Sequence, residues 1–389
     1  MKFSTQLSDF QKLIQKVLPA IPSRAAFDAL EHILLTLEDG ELTAVASDNE
    51  ITIKSKIVVD GSQNGQVLIH ARKINEIVKV LDSTKEMHFE CPENEFTIKI
   101  TSGKGKYQIH GMDADDYIEL SELFDEKIPS PDSKSNSVAF FAKEVIQKLA
   151  EKTYFGVSQD EYRLNMSGVL IQFRESYVNA VSTDSFRLIR STAFAGEKEF
   201  PKNIDFIVPA RAVEICRKID SDLIMMLDSE TETPKYLRMD FGNTTIVSRL
   251  IDENFPKYEA IIPVSSNCQA TFDVSELLSG LKRVAPVASE KNKKCRLEFS
   301  SDKLKLVTEN EDAGEEATDE IAAELNNEET FNITFNIKYL EEIMQNITPN
   351  DTTNNLVIMH FISSEKAALI KPKSEQDALV MILMPIRMA

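Results

Sequence analysis

Tryptophan is absent from this chain of 389 residues, and glycine (12 residues), histidine (5) and cysteine (4) are scarce. The cysteines lie far apart without a CxxC pair, which favours buried, reduced thiols over disulfides or zinc ligands. They are Cys91, Cys216, Cys268 and Cys295. No stretch approaches the roughly 18 consecutive apolar residues of a membrane span, and the first residues lack the apolar core of a signal peptide. We therefore expect a cytoplasmic protein with no membrane partner.

The histidines show no HxH or HxxxH spacing, so we expect neither a metal site nor a cofactor. An enzymatic alternative rests on the run DADD over residues 113–116, because a metal-dependent nuclease uses such a group of carboxylates. No other cluster in the sequence completes a catalytic site. We therefore assign no catalytic residue.

The chain is acidic, with 63 Asp and Glu residues against 44 Lys and Arg and a net charge of −19. Taken as a sum, this charge argues against binding to nucleic acid, which needs clustered basic side chains. The distribution matters more, since a protein can be acidic outside and basic along one surface. Residues 309–329 hold ten of the acidic side chains and no Lys or Arg. That run is either an acidic contact surface or a disordered, solvated loop; its spacing does not match a calcium loop.

One pattern occurs three times along the chain, with a period of roughly 130 residues, about the size of a domain. Each copy opens with a short strand and an amphipathic helix that has apolar residues at i, i+3, i+4 and i+7. A second amphipathic helix follows in each copy, at 70–81, 209–219 and 336–347. Alternating segments between and after the helices predict antiparallel strands. The copies are assigned to residues 1–130, 131–262 and 263–389.

The sequence thus predicts an α+β fold of three tandem copies, each a two-helix domain backed by an antiparallel sheet. Exposed strand edges at the two ends would invite pairing with another chain, and a head-to-tail contact that closes forms a ring. The polar faces of the helices carry basic residues that suit a phosphate backbone, although a solvated helix face is the alternative. Those chosen as DNA-binding candidates are Lys12, Lys16, Lys148, Lys152, Arg211, Lys218 and Lys282.

Four segments resemble the β subunit of bacterial DNA polymerase III, the sliding-clamp family. They are the opening MKFSTQLSDFQKLIQKV with AIPSR, VSTDSFRL (181–188), IDENFPKYEAIIP (251–263) and the terminal MPIRM. The resemblance implies a homodimeric ring that encircles duplex DNA without sequence preference. It implies a clamp in the bacterial cytosol, associated with the nucleoid, that has no catalysis and no cofactor. Its expected partners are the replicative polymerase, an ATP-dependent clamp loader, and other polymerases and repair proteins with clamp-binding peptides.

Further DNA contacts are implied by the resemblance at Arg24, Arg72 and Gln159; the aromatic pair usual after the last position is replaced by Leu164 and Asn165. The family's dimer seam corresponds to GKGKYQI (103–109), which would face the acidic run of the second subunit. The seam residues implied are Lys73, Lys104, Lys106, Tyr107, Ile109 and Val287. A protein-only scaffold that never touches DNA is the second alternative.

The family's pocket for partner peptides corresponds to residues in the second and third copies. Apolar walls with methionine suit varied peptides, because methionine repacks easily. The pocket residues implied are Met166, Thr183, Phe186, Arg187, Leu188, Pro263, Met384, Pro385, Ile386, Arg387 and Met388. On composition alone the terminal ILMPIRM reads as an edge strand of a core. The chain departs from the family at Ser185 and Phe186, where Gly and His are common.

Overall fold

The structure, a computed structural model, describes most of the chain. Described residues are 1–92, 95–120, 122–124, 126, 138–194, 203–228, 233–291, 293–326, 330–347, 355–374 and 378–387. The predicted linker near residue 130 and the pocket candidate Met388 lie outside these ranges. No described helix is long and apolar enough to cross a membrane.

Six α-helices lie within the described residues, two in each predicted copy, which confirms the helices expected from the periodicity. Their apolar stripes are buried: in the first helix, Phe10, Leu13, Ile14 and Val17 are at most 1% exposed. The helices are α1 Leu7–Val17, α2 Ala71–Val80, α3 Lys143–Tyr154, α4 Ala210–Cys216, α5 Val274–Val284 and α6 Ile337–Ile347.

Many strands alternate polar and apolar residues because they bury one face, as in β8, whereas β25 is apolar throughout and is buried along its whole length. In chain order they are β1 Lys2–Gln6, β2 His32–Glu38, β3 Glu41–Ser47, β4 Ile51–Val58, β5 Asp60–Gln63, β6 Gly65–His70, β7 Glu86–Glu90, β8 Thr97–Ser102, β9 Gly105–His110, β10 Val138–Phe141, β11 Gly168–Arg174, β12 Tyr177–Thr183, β13 Arg187–Phe194, β14 Ile204–Pro209, β15 Leu223–Leu227, β16 Tyr236–Phe241, β17 Thr244–Arg249, β18 Cys268–Asp273, β19 Lys294–Phe299, β20 Lys303–Asn310, β21 Glu315–Leu325, β22 Phe331–Asn336, β23 Leu356–Phe361, β24 Ala368–Pro372 and β25 Leu379–Leu383.

The chain folds into two compact units, and the first comprises residues 1–143 and 218–250. It holds a five-stranded sheet of order β5-β1-β7-β8-β9 and an eight-stranded sheet of order β10-β15-β16-β17-β4-β3-β2-β6. Within the larger sheet, β4 of the first predicted copy pairs antiparallel with β17 of the second. Helices α1 and α2 pack together, and the amide of Gln11 donates to the carbonyl of Val78.

The second unit comprises residues 144–217 and 251–389 and is built on one twelve-stranded sheet. Its order is β14-β11-β12-β13-β25-β24-β23-β18-β21-β20-β19-β22. Here β13 of the second predicted copy pairs with β25 of the third. Helices α5 and α6 bury Leu277, Leu281, Leu340, Ile343 and Met344 in a large apolar cluster of this unit. The predicted boundaries near residues 130 and 263 remain predictions, since the middle segment contributes strands to both units.

Strands β9 and β21 each have one edge that is free, wholly or in part, of pairing with another described strand. Strand β9 is the last strand of the five-stranded sheet. Strand β21 pairs with β20 along residues 315–322, but it meets β18 only at Ala323–Leu325. Among the described residues, no strand pairs with the other edge of residues 315–322. In the acidic run, residues 309–310 end β20, residues 311–314 form a turn and residues 315–325 form β21. The disordered-loop alternative is therefore wrong for residues 315–325.

Candidate functional site

The centre of the candidate peptide pocket is a tight turn between β12 and β13, at residues 183–187. The carboxylate of Asp184 accepts hydrogen bonds at Oδ1 from the backbone N–H groups of Phe186 and Arg187, both at 2.9 Å. The hydroxyl of Thr183 donates to the carbonyl of Arg187 at 2.7 Å and accepts from the N–H of Ser185 at 3.2 Å. These side chains replace the backbone partners that the turn lacks.

The same turn occurs in the first unit, after β3, which explains why the signature repeats. Asp48 Oδ1 accepts from the N–H groups of Glu50 and Ile51, at 3.0 and 2.7 Å. The next residue has a left-handed backbone in both turns, with φ of +73° at Asn49 and +77° at Ser185. Such a φ favours glycine or asparagine over other residues. Ser185 therefore holds a strained conformation at a position where the family commonly has glycine.

Arg187 is the buried centre of the site, and its side chain is 7% exposed. Its Nε lies 3.1 Å from Asp184 Oδ2, and its Nη1 is bonded to the carboxylate of Glu342. Its Nη2 donates to the carbonyl of Phe155 at 2.9 Å. A buried guanidinium is stable only when its donors are occupied in this way. Arg187 therefore fixes the turn, α6 and the end of the first helix of the middle copy in one arrangement.

Two aromatic rings lie close to this guanidinium. The Cζ of Arg187 lies 5.2 Å from the ring centre of Phe155 and 4.8 Å from that of Tyr339. The ring of Phe186 stacks on Tyr339, with centres 5.7 Å apart and an interplanar angle of 21°. Phe186 itself is 53% exposed.

The C-terminal segment runs along this turn. Strand β25 is an inner strand that pairs with both β13 and β24, so the edge-strand alternative for the terminal segment is wrong. The chain leaves the sheet after Leu383. The N–H of Met384 donates to the carbonyl of Phe186 at 2.8 Å, and the N–H of Ile386 donates to Thr334 at 2.8 Å. Met384 is 39% exposed beside Phe186. Pro385 is half-buried and Arg387 exposed in the same segment.

The remaining pocket candidates form walls beneath the surface. Leu188 is buried in an apolar cluster that also holds Val380 and Ile382, and Ile262, the neighbour of Pro263, packs against it. The Sδ of Met166, a buried residue, lies 3.5 Å from the hydroxyl of Ser185. The second unit thus brings Met166, Thr183, Phe186, Arg187, Leu188 and Met384 together.

Some DNA-contact candidates of the first unit are exposed to solvent, whereas Lys16 is held by partners within the protein. Arg24 is exposed in the loop after α1, and Arg72 donates to the carbonyl of Ser23 in that loop at 3.0 Å. Lys12 is 72% exposed, with Asp9 at 3.7 Å. Lys16 is only 27% exposed, because its ammonium lies 2.8 Å from Asn243 Oδ1 and 3.5 Å from an Asp220 carboxylate oxygen.

Of the remaining DNA candidates, Lys148, Lys152, Arg211 and Lys282 lie on helices, Gln159 lies in a loop and Lys218 lies in the turn after α4. Lys152 is half-buried and donates to the carbonyl of Asn346 at 2.5 Å. Lys282 is exposed on α5 near Glu341; burial raises the pKa of that carboxyl, and the ammonium of Lys282 opposes the shift. Gln159, Lys148 and Lys218 are exposed, and Arg211 is half-buried.

Three seam candidates lie on β9, whereas Lys104 precedes it, Lys73 lies on α2 and Val287 lies in a short 3-10 helix that contacts β21. On β9, Lys106 is exposed and Tyr107 half-buried, whereas the side chain of Ile109 is 8% exposed and points into its own unit. Of the other seam candidates, Lys73 and Lys104 are exposed and Val287 is half-buried. The exposed row of β21 carries Glu316 and Glu320, of which Glu320 pairs with Lys303 at 3.0 Å.

Family models match three successive parts of the chain. The N-terminal domain of the DNA polymerase III beta subunit matches residues 1–121, the central domain residues 141–257 and the C-terminal domain residues 259–387. The chain belongs to the DNA polymerase III beta subunit family. This confirms the resemblance to the sliding-clamp family and the fold of three tandem clamp domains.

Individual relatives of this family are distant in sequence. The chain is 26% identical over 325 residues to the beta sliding clamp of Chlamydia muridarum, covering 81% of this chain and 82% of that one. It is 27% identical over 300 residues to that of Bacillus subtilis, covering 75% of each.

Solved clamp structures share the fold along the whole chain. A DNA polymerase III subunit beta from Pseudomonas aeruginosa has a TM-score of 0.86 at 23% identity, with full coverage of both chains. A sliding clamp from the same organism bound to griselimycin has a TM-score of 0.87, also at 23% identity and with full coverage of both chains.

The nuclease alternative gains no support from the carboxylates at 113–116. Asp113 caps a short 3-10 helix, its side chain accepting from the N–H of Asp115 at 3.1 Å. In the part of the chain that the structure describes, no three His, Cys, Asp or Glu side chains are grouped so that they could hold a metal. The four cysteines are free and buried, as predicted.

The residues predicted for the candidate pocket did not include three neighbours of Arg187, namely Phe155, Tyr339 and Glu342. All three contact Arg187, but they are far from it along the chain. For Tyr339 and Glu342 there was a weak indication in the sequence that they act together, because they are three residues apart in α6 and therefore lie on one face.

Proposed function

We propose that this chain is a DNA sliding clamp: two copies form a ring around duplex DNA and tether the replicative polymerase. The observation that carries the proposal is the match of three clamp-family domains, in order, to almost the whole chain. The closed ring would stay on the duplex because it encircles it, so its side-chain contacts with DNA need only be weak. No catalytic step belongs to this function, and the protein would act in the cytoplasm.

Head-to-tail pairing of strand edges would close the ring. Edge strands with free backbone groups pair readily with another chain. Strand β9 of one copy, with Lys104 and Lys106, would lie along β21 of the other, with Glu316 and Glu320. Opposite charges across such an interface favour one register and speed association. Because Ile109 is buried in its own unit, we expect β9 to contribute mainly its backbone and its exposed side chains.

Basic side chains on the helices would contact phosphates without reading bases. Arg24, Lys12 and Lys282 are exposed enough to do so, and Arg72 would hold the loop that carries Arg24. Lys16 and Lys152 would have to give up partners within the protein before they could contact a phosphate. We therefore rank the first three above the other two as DNA contacts.

Partner proteins would bind through short peptides at the turn of residues 183–187. The clamp loader, the replicative polymerase, and further polymerases and repair proteins are the partners that the family implies. The buried Arg187 and its ring neighbours would provide a rigid floor, while the exposed Phe186 and Met384 would contact the peptide. A site with a rigid base and a flexible methionine at its surface can bind varied peptides.

The decisive experiment compares retention on circular and linear DNA. The protein is loaded by its clamp loader onto nicked circular duplex, washed in high salt, and then released by a single restriction cut. A clamp remains on the circle in high salt, which weakens phosphate contacts, and leaves after the cut. Equal retention on both forms would contradict the ring, and absence of any loading-dependent retention would favour the protein-only scaffold.

A further inference from the structure

We propose that Lys152, selected from the sequence as a DNA contact, is instead a positioning residue for the peptide pocket, because it holds the C-terminal end of α6. That helix contacts Arg187 through Glu342. This inference rests on the proposed function, since it assumes that peptides bind at the turn of residues 183–187. It concerns a residue of α3 that lies outside the residues predicted for the pocket.

The first argument is that α6 has no positive charge of its own at its C-terminal end. The carbonyl groups in the last turn of a helix lack partners within the helix, and this end carries a partial negative charge. The last turn of α6 contains no basic residue. The ammonium of Lys152, on α3, donates to the carbonyl of Asn346 in that turn at 2.5 Å. Lys152 thus supplies from a second helix the cation that α6 does not provide.

The second argument is that this end of α6 is connected to the pocket over a short distance along the helix. The side-chain amide of Asn346 donates to the carbonyl of Glu342, one turn earlier, at 2.8 Å. The carboxylate of Glu342 is bonded to Nη1 of Arg187. The ring of Tyr339, about one turn earlier again, has its centre 4.8 Å from the Cζ of Arg187. A displacement at the end of α6 would therefore reach Arg187 within two helical turns.

The third argument is that α3 also contacts the turn directly, so the contacts form a closed circuit. The carbonyl of Phe155, directly after α3, accepts from Nη2 of Arg187 at 2.9 Å. The hydroxyl of Ser182, on β12 just before the turn, donates to the carbonyl of Thr153 at 2.6 Å. The turn therefore touches α3 and α6, and Lys152 joins these two helices to each other. Each of the three elements is fixed at two points, and loss of Lys152 would open the circuit.

The burial of Lys152 also favours this role over phosphate binding. Its side chain is half-buried, whereas that of Lys12 is 72% exposed. A cation at a helix C-terminus contributes most in partly buried geometry, and contact with a phosphate would draw the ammonium away from Asn346. We therefore expect Lys152 to act on peptide affinity and Lys12 to act on DNA affinity.

The test measures both affinities in the full-length protein. The probe is a peptide selected from a random phage-displayed library on the natural protein, and it is retained only if Phe186→Glu abolishes its binding. Its Kd is measured by fluorescence anisotropy for the natural protein, Lys152→Met, Lys152→Arg and Lys12→Ala. The affinity of each protein for a short linear duplex is measured over a range of salt concentrations.

Lys152→Met keeps an unbranched apolar side chain but removes the charge and the donor. We expect it to weaken peptide binding about 2- to 5-fold and to leave the slope of log DNA affinity against log salt unchanged. Lys152→Arg should bind the peptide as the natural protein does, because a guanidinium can also donate to the carbonyl of Asn346. Lys12→Ala should show the opposite pattern, with a lower slope and an unchanged peptide Kd.

A lower slope in Lys152→Met would make Lys152 a DNA contact and overturn the inference. An unchanged peptide Kd in Lys152→Met would also overturn it, as would a loss of affinity that persists in Lys152→Arg. In all these cases a peptide that depends on Phe186 still supports the pocket. If no selected peptide depends on Phe186, the pocket itself is wrong, and the role of Lys152 is wrong with it.

Discussion

Arg187 and Asp184 form a buried ion pair, with Nε 3.1 Å from Oδ2 and side chains only 7% and 12% exposed. The two residues are three apart in sequence, and the same carboxylate also holds the turn through two backbone N–H groups. One pair therefore joins the local conformation of the turn to the packing of α6 through Glu342. The ion pair thus lies where the strand signature forms part of the candidate peptide site.

Removing Arg187 should cost more stability than removing its exposed partner. Arg187→Ala leaves a buried carboxylate without its cation, and such losses typically amount to about 3–5 kcal/mol. Glu342 is 45% exposed, so Glu342→Gln should cost less than about 1 kcal/mol. Urea unfolding of both variants, with hydrogen exchange at the amides of Phe186 and Arg187, measures the difference. Similar costs for the two would mean that the pair at Asp184 contributes little.

Replacing Ser185 separates backbone strain from side-chain bonding. Its φ of +77° disfavours any residue with a Cβ by roughly 1–2 kcal/mol relative to glycine. Its hydroxyl accepts a bond from Arg163 at 2.9 Å, which at an exposed site contributes less than about 1 kcal/mol. We therefore expect Ser185→Gly to be as stable as the natural protein or slightly more stable, and Ser185→Ala to be about 1 kcal/mol less stable than Ser185→Gly.

The corresponding change in the first unit is a matched control for the Ser185 series. Asn49 has a φ of +73°, but asparagine tolerates this region better than serine does. Asn49→Gly should therefore gain less than Ser185→Gly. Thermal unfolding of all variants checks the order, and a gain at Asn49 larger than that at Ser185 would contradict the account of strain.

The helices could be predicted from the sequence because their cause is local. Phe10, Leu13, Ile14 and Val17 recur at the helical period, and the structure buries all four. The turn at Asp184 was also predictable, since an aspartate that ends a strand commonly bonds to the backbone after it. Those features depend only on neighbours within a few positions of the chain.

The pairing of strands between copies could not be predicted in this way. Strand β13 has a suitable edge for many partners, and nothing in its sequence specifies β25, almost two hundred positions later. The same holds for the pocket: Arg187 came from a resemblance, while its contact with Glu342 depends on where α6 lies in the folded unit. Contacts of this kind are set by the whole core, which residue patterns do not encode one pair at a time.

The four cysteine thiols should resist alkylation in the folded protein. Burial raises the pKa of Cys216 and of Cys295 to about 12, so at pH 8 only about one thiol in 10⁴ would be ionised, and the thiolate is the reactive form. Burial raises the pKa of Cys91 and Cys268 as well. Iodoacetamide labelling read by peptide mass spectrometry should be slow at all four and fast in 8 M urea. Rapid native labelling of Cys216 or Cys295 would show that its surroundings open readily.

Lys12 and Lys16 differ by four residues on one helix and should respond differently to mutation. Each phosphate contact adds about 0.9 to the slope of log affinity against log salt. Lys12→Ala should lower this slope for a short linear duplex without a change in stability. Lys16→Ala should change the slope less but destabilise the first unit, because it removes the contacts with Asn243 and Asp220. Equal slopes for both variants would contradict the ranking of the DNA contacts.

Charge reversal at the proposed seam should weaken the dimer, and reversal of the opposing charge should restore it. Lys106→Glu on β9 replaces an attraction to β21 with a repulsion, and exposed pairs contribute up to about 1 kcal/mol each, so the dimer Kd should rise about tenfold. Adding Glu316→Lys should recover most of this loss. Lys99→Glu makes the same charge change on β8, one strand inside the edge, and should leave the Kd nearly unchanged. Sedimentation equilibrium at low salt measures all four proteins, and failure of Glu316→Lys to rescue Lys106→Glu would place the seam elsewhere.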